Sequence, residues 1–271
     1  MMVGRPLVEL DNVTVAYRAG DRQHVAVTDV NLEVSRGAFV SVVGPTGCGK
    51  STVLNVVAGL LAPTSGGVRI DGTSLWGRNT RAGYLFQQDT LLPWKTVLEN
   101  VCLGLELAGV DRAERREQAR DWLSRVGLSG FEDAHPHQLS GGMRKRTAVA
   151  QVCVCGPEIL LMDEPFSALD AQTRQLMENE LLTLWTEAGT TVLFVTHDLD
   201  EAVSLSDEIV LFSAGPASTV ARRYEVDLPR PRDLMRIRTA RRFGELYEAV
   251  WSDLRKEVMK AHGRRDTVGH G

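Results

Sequence analysis

Three short runs of the chain are apolar almost throughout: AFVSVVG (38–44), EILLMDE (158–164) and TVLFVTHD (191–198). Strands buried on both faces of a parallel sheet have this character, because neither face meets water. Each run ends in glycine or polar residues. In open α/β sheets, ligands gather beyond the carboxyl ends of the strands. Gly44, Asp163, Glu164 and His197 are thereby predicted to lie where a shared site would form. The early chain has a different rhythm. LVELDNVTVAY (7–17) and VRIDG (68–72) alternate apolar with polar positions, and SGG and DG supply turns. These segments predict an antiparallel layer beside the parallel sheet.

Between about 90 and 155 the period becomes helical. Asp111 with Glu114 reads as a capping box, Ala119, Trp122, Leu123 and Val126 form an apolar face, and Gly127 suits the position after the C-cap. A second helix is expected from Gly141 or Gly142 to Cys155, stopped by Gly156-Pro157. Because this block interrupts the strand-rich regions, it reads as an inserted helical subdomain. After PRPRD (229–233), residues Leu234, Ile237, Phe243, Leu246, Tyr247, Val250, Trp251 and Leu254 recur at helical spacing, and that helix is expected to pack on its own domain. The tail beyond Lys260 is polar and expected to fray.

Composition narrows the class. Of the 271 residues, 43% are hydrophobic and 24% charged, enough apolar matter for a sizeable core. A net charge of −4 gives no basic excess of the kind that marks nucleic-acid binding. No apolar run reaches the roughly 18 residues that would span a bilayer, and MMVGRPLVELDN lacks the apolar segment of a signal peptide. A cytosolic, soluble protein is expected, with docking on something embedded in a membrane left open. Cys48, Cys102, Cys153 and Cys155 form no C-x-x-C pair and are expected to be buried, reduced thiols. His135 and His137 flank Pro136 without the helical spacing of a metal-binding pair.

The sharpest chemistry lies in GPTGCGKST: Gly44, Pro45, Thr46, Gly47, Cys48, Gly49, Lys50, Ser51 and Thr52. Gly44-x4-Gly49-Lys50-Ser51 follows a predicted strand and precedes TVLNVVAGLL, whose Leu54, Val57, Ala58 and Leu61 have helical spacing. That context is the one a P-loop requires. Glycines let the backbone approach a phosphate, N–H groups from about Gly47 to Thr52 point at it, and the helix dipole assists. Lys50 would neutralise the β- and γ-phosphates, and Ser51 would ligate Mg²⁺. In ILLMDE, Asp163 fits the residue that holds the Mg²⁺ shell, and Glu164, pointing elsewhere, fits the base that polarises a water. QLSGGMRKR (138–146) opens another helix with a serine and two glycines, a second anion site. Two phosphate grips imply either two ligands or one ligand gripped by two chains.

At LSGGM the sequence resembles the signature of ATP-binding-cassette (ABC) ATPases. Tyr17 before the P-loop, Gln87 in GYLFQQD, SALD (167–170) and His197 follow that family's order, and the likeness covers about residues 5–230. It implies an α/β fold with a P-loop (RecA-like) parallel core, an antiparallel β layer and an inserted helical subdomain. The ATPase domain is expected over 1–228, its helical part over about 90–155, and a helical extension and tail over 229–271. The resemblance also implies roles. Tyr17 would stack on adenine. Gln87, with Gln88 as its neighbouring rival, would sense Mg²⁺ and the attacking water. His197 would bond the γ-phosphate and hold the water in line. Ser140, Gly141 and Gly142 would complete the ATP site of an opposing cassette, with Asp170 at the contact. ATP and Mg²⁺ are the expected cofactors, and a homodimer or a paired cassette is the expected assembly. Thr46 and Gln151 depart mildly from the family pattern.

A single cassette without fused membrane spans or a long coiled coil resembles an importer subunit rather than a soluble ABC ATPase acting on DNA or ribosomes. FQQDTLLPWKTVLENVCLGLEL and VDLPRPRD resemble the nitrate, sulfonate and taurine importers. The partners this implies are transmembrane permease subunits and, through them, an extracytoplasmic solute-binding protein, with no nucleic acid. The chain would sit peripherally on the cytoplasmic face of the membrane, with Leu91, Leu92, Pro93 and Trp94 receiving the permease.

Overall fold

The computed structural model describes residues 5–268 apart from Asp21, Asp89 and Ala168. The elements in chain order are β1 (Pro6–Ala19), β2 (Arg22–Ser35), β3 (Phe39–Val43), α1 (Lys50–Val57), β4 (Ser65–Ile70), β5 (Thr73–Ser74), β6 (Ala82–Leu85), α2 (Val97–Leu107), α3 (Arg112–Arg125), α4 (Gly141–Cys153), β7 (Ile159–Asp163), α5 (Ala171–Ala188), β8 (Thr191–Val195), α6 (Leu199–Leu205), β9 (Glu208–Phe212), β10 (Val220–Glu225), α7 (Leu234–Ile237) and α8 (Arg241–Val268). They form two compact units, Met1–Thr80 with Gly189–Gly271, and Arg81–Ala188.

In the first unit, β3 lies between β8 and β9 and pairs with both in parallel, Val40 opposite Leu193 on one side and Glu208 on the other. β10 adds an antiparallel edge to β9. All five residues of β3 and of β8 are buried, which is why their sequences do not alternate. The alternating segments form the antiparallel sheet β2-β1-β4-β5. Along β1, Val8, Leu10, Val13 and Val15 point into the core. Two polar residues stand between Leu10 and Val13, and the register shifts there, with Asn12 at φ 49°. That bulge absorbs the extra residue and keeps the apolar side facing inward. On this sheet Arg69 reaches Glu9, directly opposite, at 2.9 Å.

The C-terminal segment belongs to the same unit. Arg232 of the PRPRD stretch is buried and donates to four carbonyls, of Ser204, Ser206, Val226 and Leu228, at 2.7–3.4 Å. Burial, with Arg230 nearby, pulls its guanidinium down to about 10. On α8, Phe243, Leu246, Val250 and Leu254 are buried while Trp251 stays exposed. Tyr224 donates to Asp253 at 2.7 Å, and the Ala214 N–H donates to Glu257 at 2.9 Å. The tail beyond Lys260, expected to fray, is helical as far as Val268, where α8 ends; residues 269–271 lie outside the described ones.

The second unit holds the parallel pair β6 and β7 together with α2 to α5. Leu98, Val101, Leu105, Leu123, Leu128 and Ala150 lie in the core that α2, α3 and α4 share. The capping box expected at Asp111 is instead at Thr96, which caps α2 reciprocally with Glu99. Asp111 does cap α3, accepting from the Ala113 N–H at 2.8 Å, but Glu114 accepts from Gln118 one turn on rather than turning back. Gly127, at φ 69°, closes α3 as its position predicts. Cys48 and Cys102 are buried, Cys153 is half-buried, and Cys155 is exposed, contrary to expectation, because it lies past the last turn of α4. Among the described residues no helix is long and apolar enough to cross a membrane.

Candidate nucleotide site

β3 ends at Val43, and α1 begins at Lys50 after a loop with φ 79° at Gly47 and 93° at Gly49. Gly49 is required twice over. Its backbone is left-handed, and a Cβ there would lie 2.5 Å from Val27 Cγ1 and 3.3 Å from the Ala26 carbonyl. A Cβ at Gly47 would meet nothing within 4 Å. Gly49→Ala should therefore lower the Tm by roughly 5 °C or more, through strain of about 1–3 kcal/mol and the clash with β2. Gly47→Ala should lower it by clearly less. Thermal unfolding of both variants checks the contrast.

Lys50 is buried at the start of α1, and its Nζ donates to the Gly44 and Pro45 carbonyls at 3.0 and 3.2 Å. The ammonium is thus folded back over its own loop. The loop is braced from behind, as the Ser218 hydroxyl donates to the Cys48 carbonyl. Burial raises the Cys48 thiol, which stays protonated and packs as an apolar residue. Tyr17, 42% exposed on β1, lies with its hydroxyl 3.3 Å from Thr52 Oγ1. An open aromatic face therefore stands beside the first turn of α1. His197 is exposed just past β8. Thr196 before it donates to Glu201 at 2.5 Å, and Asp198 after it caps α6, so the histidine sits on a turn fixed from both sides.

The other predicted residues lie in the second unit. The parallel register sets Leu85 opposite Met162, so the chain beyond β6 runs beside the chain beyond β7. The Gln87 amide donates to Glu164 Oε2 at 3.4 Å. Glu164 has φ 43°, a left-handed conformation rare for a residue with a long side chain. The Ser167 hydroxyl and N–H both donate to its carbonyl, at 2.9 and 3.3 Å. Strain of this kind persists where the surroundings over-determine it, commonly at functional sites. Burial and the charge of Asp163 raise the Tyr84 hydroxyl, which stays neutral. Its ring stacks on Phe86 at 4.1 Å between centroids.

Ser140 caps α4, its hydroxyl accepting from the Met143 N–H at 3.3 Å, and both Ser140 and Gly141 are exposed. Gly142 is packed tightly, since a Cβ there would lie 2.7 Å from Thr173 Cγ2. Thr173 also donates to Asp170 at 2.7 Å, so Asp170 caps α5 beside the signature loop. These bonds, the Thr173 hydroxyl first, lower the Asp170 carboxyl.

Residues 27–167 match the family described as ABC transporter. This chain belongs to the ABC transporter family. It is accordingly an ATPase. The cassette is 46% identical over 254 residues to an uncharacterized ABC transporter ATP-binding protein of Methanocaldococcus jannaschii, covering 94% of this chain and 93% of that one. It is 46% identical to a taurine import ATP-binding protein of Yersinia pestis (73% of this chain, 77% of the relative). It is 41% identical to a nitrate import ATP-binding protein of Synechococcus elongatus (89% of this chain, 36% of the relative). A solved dimeric ATP-binding cassette in a post-hydrolysis state, bound to ADP and Pi, superposes with a TM-score of 0.73 at 35% identity, covering 82% of this chain and all of that one.

Two side chains of the cassette escaped the sequence reading. Asn100, fully buried on α2, donates to the carbonyls of Leu92, Lys95 and Thr96 at 2.9–3.2 Å and accepts from the Leu92 N–H at 2.7 Å. It builds the loop on which Pro93 is exposed and Trp94 is 71% exposed, while Leu91 and Leu92 are half-buried. An asparagine amid the apolar stripe Val97, Leu98, Val101, Cys102 was the available signal. Lys145, buried on α4, donates to the carbonyls of Phe86 and Gln87. Within the basic run MRKR nothing sets it apart from a solvated face.

Proposed function

We propose that this cassette is the ATP-hydrolysing subunit of an importer for nitrate-, sulfonate- or taurine-like solutes. Two cassettes close on ATP, and their closing and opening drive transmembrane permease subunits. The observation that carries the reading is Glu164, a carboxylate in left-handed backbone at the end of a buried strand, with the Gln87 amide 3.4 Å from its Oε2. That is the arrangement of a base held ready for a water.

The remaining roles follow from chemistry. Lys50 and the N–H groups from Gly47 to Thr52 hold the phosphates at the N-terminus of α1, within a cradle formed by Gly44, Pro45, Thr46, Cys48 and Gly49. Gly49, which leaves no room for a Cβ, and Lys50, poised on two carbonyls, fit a phosphate chain. Ser51, Asp163 and Gln87 offer the hard oxygen donors that suit Mg²⁺, which usually keeps part of its water shell. The chemistry such an ion would supply is positive charge that offsets the charge of the phosphates. Tyr17 stacks on adenine. His197 bonds the γ-phosphate and the attacking water.

Ser140, Gly141 and Gly142 grip the γ-phosphate bound by a second cassette, with Asp170 at the contact. The interface is then isologous and encloses two sites at once. The dimeric solved relative supports this, and the taurine and nitrate import relatives support the transport role. We assign the ATPase domain to 1–228, its helical part to about 90–155, and an extension to 229–271. The loop carrying Pro93 and Trp94 meets the permease at the cytoplasmic face of the membrane. The solute is recognised by the permease and its extracytoplasmic binding protein. Lys50→Ala should co-purify with the permease subunits yet lose at least about 100-fold in ATPase rate and all ATP-driven uptake in proteoliposomes. A parent chain that binds no permease and is stimulated by DNA or ribosomes would overturn the transport role.

A further inference from the structure

Lys145 lies on the inner side of α4, five residues after Ser140, and is 4% exposed. Thr147, Ala148, Val149 and Ala150 are buried on the same helix. An ammonium in such surroundings is costly unless fully partnered, and an aliphatic side chain would fill the space without that cost. The ammonium is partnered by the next functional segment of the unit. Its Nζ donates to the Phe86 carbonyl at 2.8 Å and to the Gln87 carbonyl at 3.2 Å. Gln87 is the residue whose side-chain amide donates to Glu164. Lys145 therefore fixes the backbone on which that amide is mounted. It does so from the helix whose exposed N-terminus carries Ser140 and Gly141, about 7.5 Å away along a rigid α-helical axis.

We propose that Lys145 is a positioning residue that ties the signature helix to Gln87. Movement of the α4 N-terminus as a second cassette engages it is passed through the Lys145 ammonium to the amide at Glu164. The hydrolytic constellation then responds to whether the opposing ATP is gripped. This rests on the roles given above to Gln87 and Ser140.

The test is a double-mutant cycle in the full chain. Lys145→Met keeps the aliphatic stem and removes the donors. It should lower kcat about 10- to 100-fold, leave the KM for ATP within about twofold, and raise the Mg²⁺ concentration needed for half-maximal rate, because Gln87, whose backbone Lys145 holds, is a residue assigned above to Mg²⁺. Lys145→Arg, which restores donors to the carbonyls, should recover at least about a third of the rate. In a Gln87→Ala background the Lys145→Met change should cost less than about twofold, because the residue it acts through is gone. Full multiplicative losses in the double variant, or an unchanged Mg²⁺ dependence, overturn the link while leaving the role of Gln87 intact. A Gln87→Ala variant with the parental kcat overturns the role of Gln87 and the link with it. Should Lys145→Met fail to fold, Lys145→Gln runs the same cycle with one donor kept, and the same non-additivity is required of it.

Discussion

Glu164→Gln is expected to bind ATP as tightly as the parent and to turn it over about 10²–10⁴-fold more slowly, the range a general base supplies. Glutamine has the same shape, so the left-handed turn at φ 43° and the two bonds from Ser167 to the residue 164 carbonyl are retained. What is lost is a carboxylate able to take the proton of a water. The Gln87 amide now donates to that carboxylate and can donate equally to the carbonyl oxygen of an amide. Phosphate binding is left alone, since Lys50 and the glycine loop are untouched. Titration with a fluorescent ATP analogue, beside a steady-state rate assay, separates the two effects. Equal turnover by variant and parent would remove Glu164 from the chemistry, and a large loss of binding would make it a ligand for the nucleotide instead. The closed, undischarged state expected of this variant also provides the background for the second experiment.

The sequence pointed to these residues unevenly, for physical reasons. Buried strands betray themselves because both faces need apolar side chains, so β3, β7 and β8 appear within three residues of the bounds of the runs that predicted them. The P-loop is legible because its backbone conformations demand glycine, as at Gly49. The conformation of Glu164 was not legible, because no residue preference announces left-handed backbone in a glutamate. It is held in a local turn that the Ser167 hydroxyl and N–H close three residues on, and a serine at that spacing does not by itself announce it. The capping box went to the wrong helix because Asp111-x-x-Glu114 and Thr96-x-x-Glu99 carry the same pattern. They differ only in where the glutamate finds its partner, and Gln118 competes for Glu114. Lys145 was hidden for a related reason. A lysine in a basic run is ordinarily solvated, and its burial depends on carbonyls almost 60 residues away in sequence.

Ser140→Arg is expected to abolish ATP-driven association in the Glu164→Gln background while leaving ATP binding by the monomer within about twofold. Ser140 is the natural position to probe. It is exposed, and its hydroxyl spans only to the Met143 N–H at the head of its own helix. Losing that cap costs about 1 kcal/mol, too little to unfold the unit. Gly142 would be a poorer choice, because any side chain there collides with Thr173 and disturbs α5 before it touches a partner. Arginine at 140 places bulk and a positive charge where a neighbouring γ-phosphate must come within reach of backbone N–H groups. Its side chain holds the two surfaces apart even as its charge attracts the anion. Ser140→Ala separates the contributions, since it loses the same cap without adding bulk and should weaken association by no more than about tenfold. Sedimentation velocity with ATP and Mg²⁺ reads both variants directly. An Arg variant that still dimerises on ATP like its parent would mean that each nucleotide is enclosed without the signature loop of a second cassette, and the shared-site mechanism would have to be abandoned.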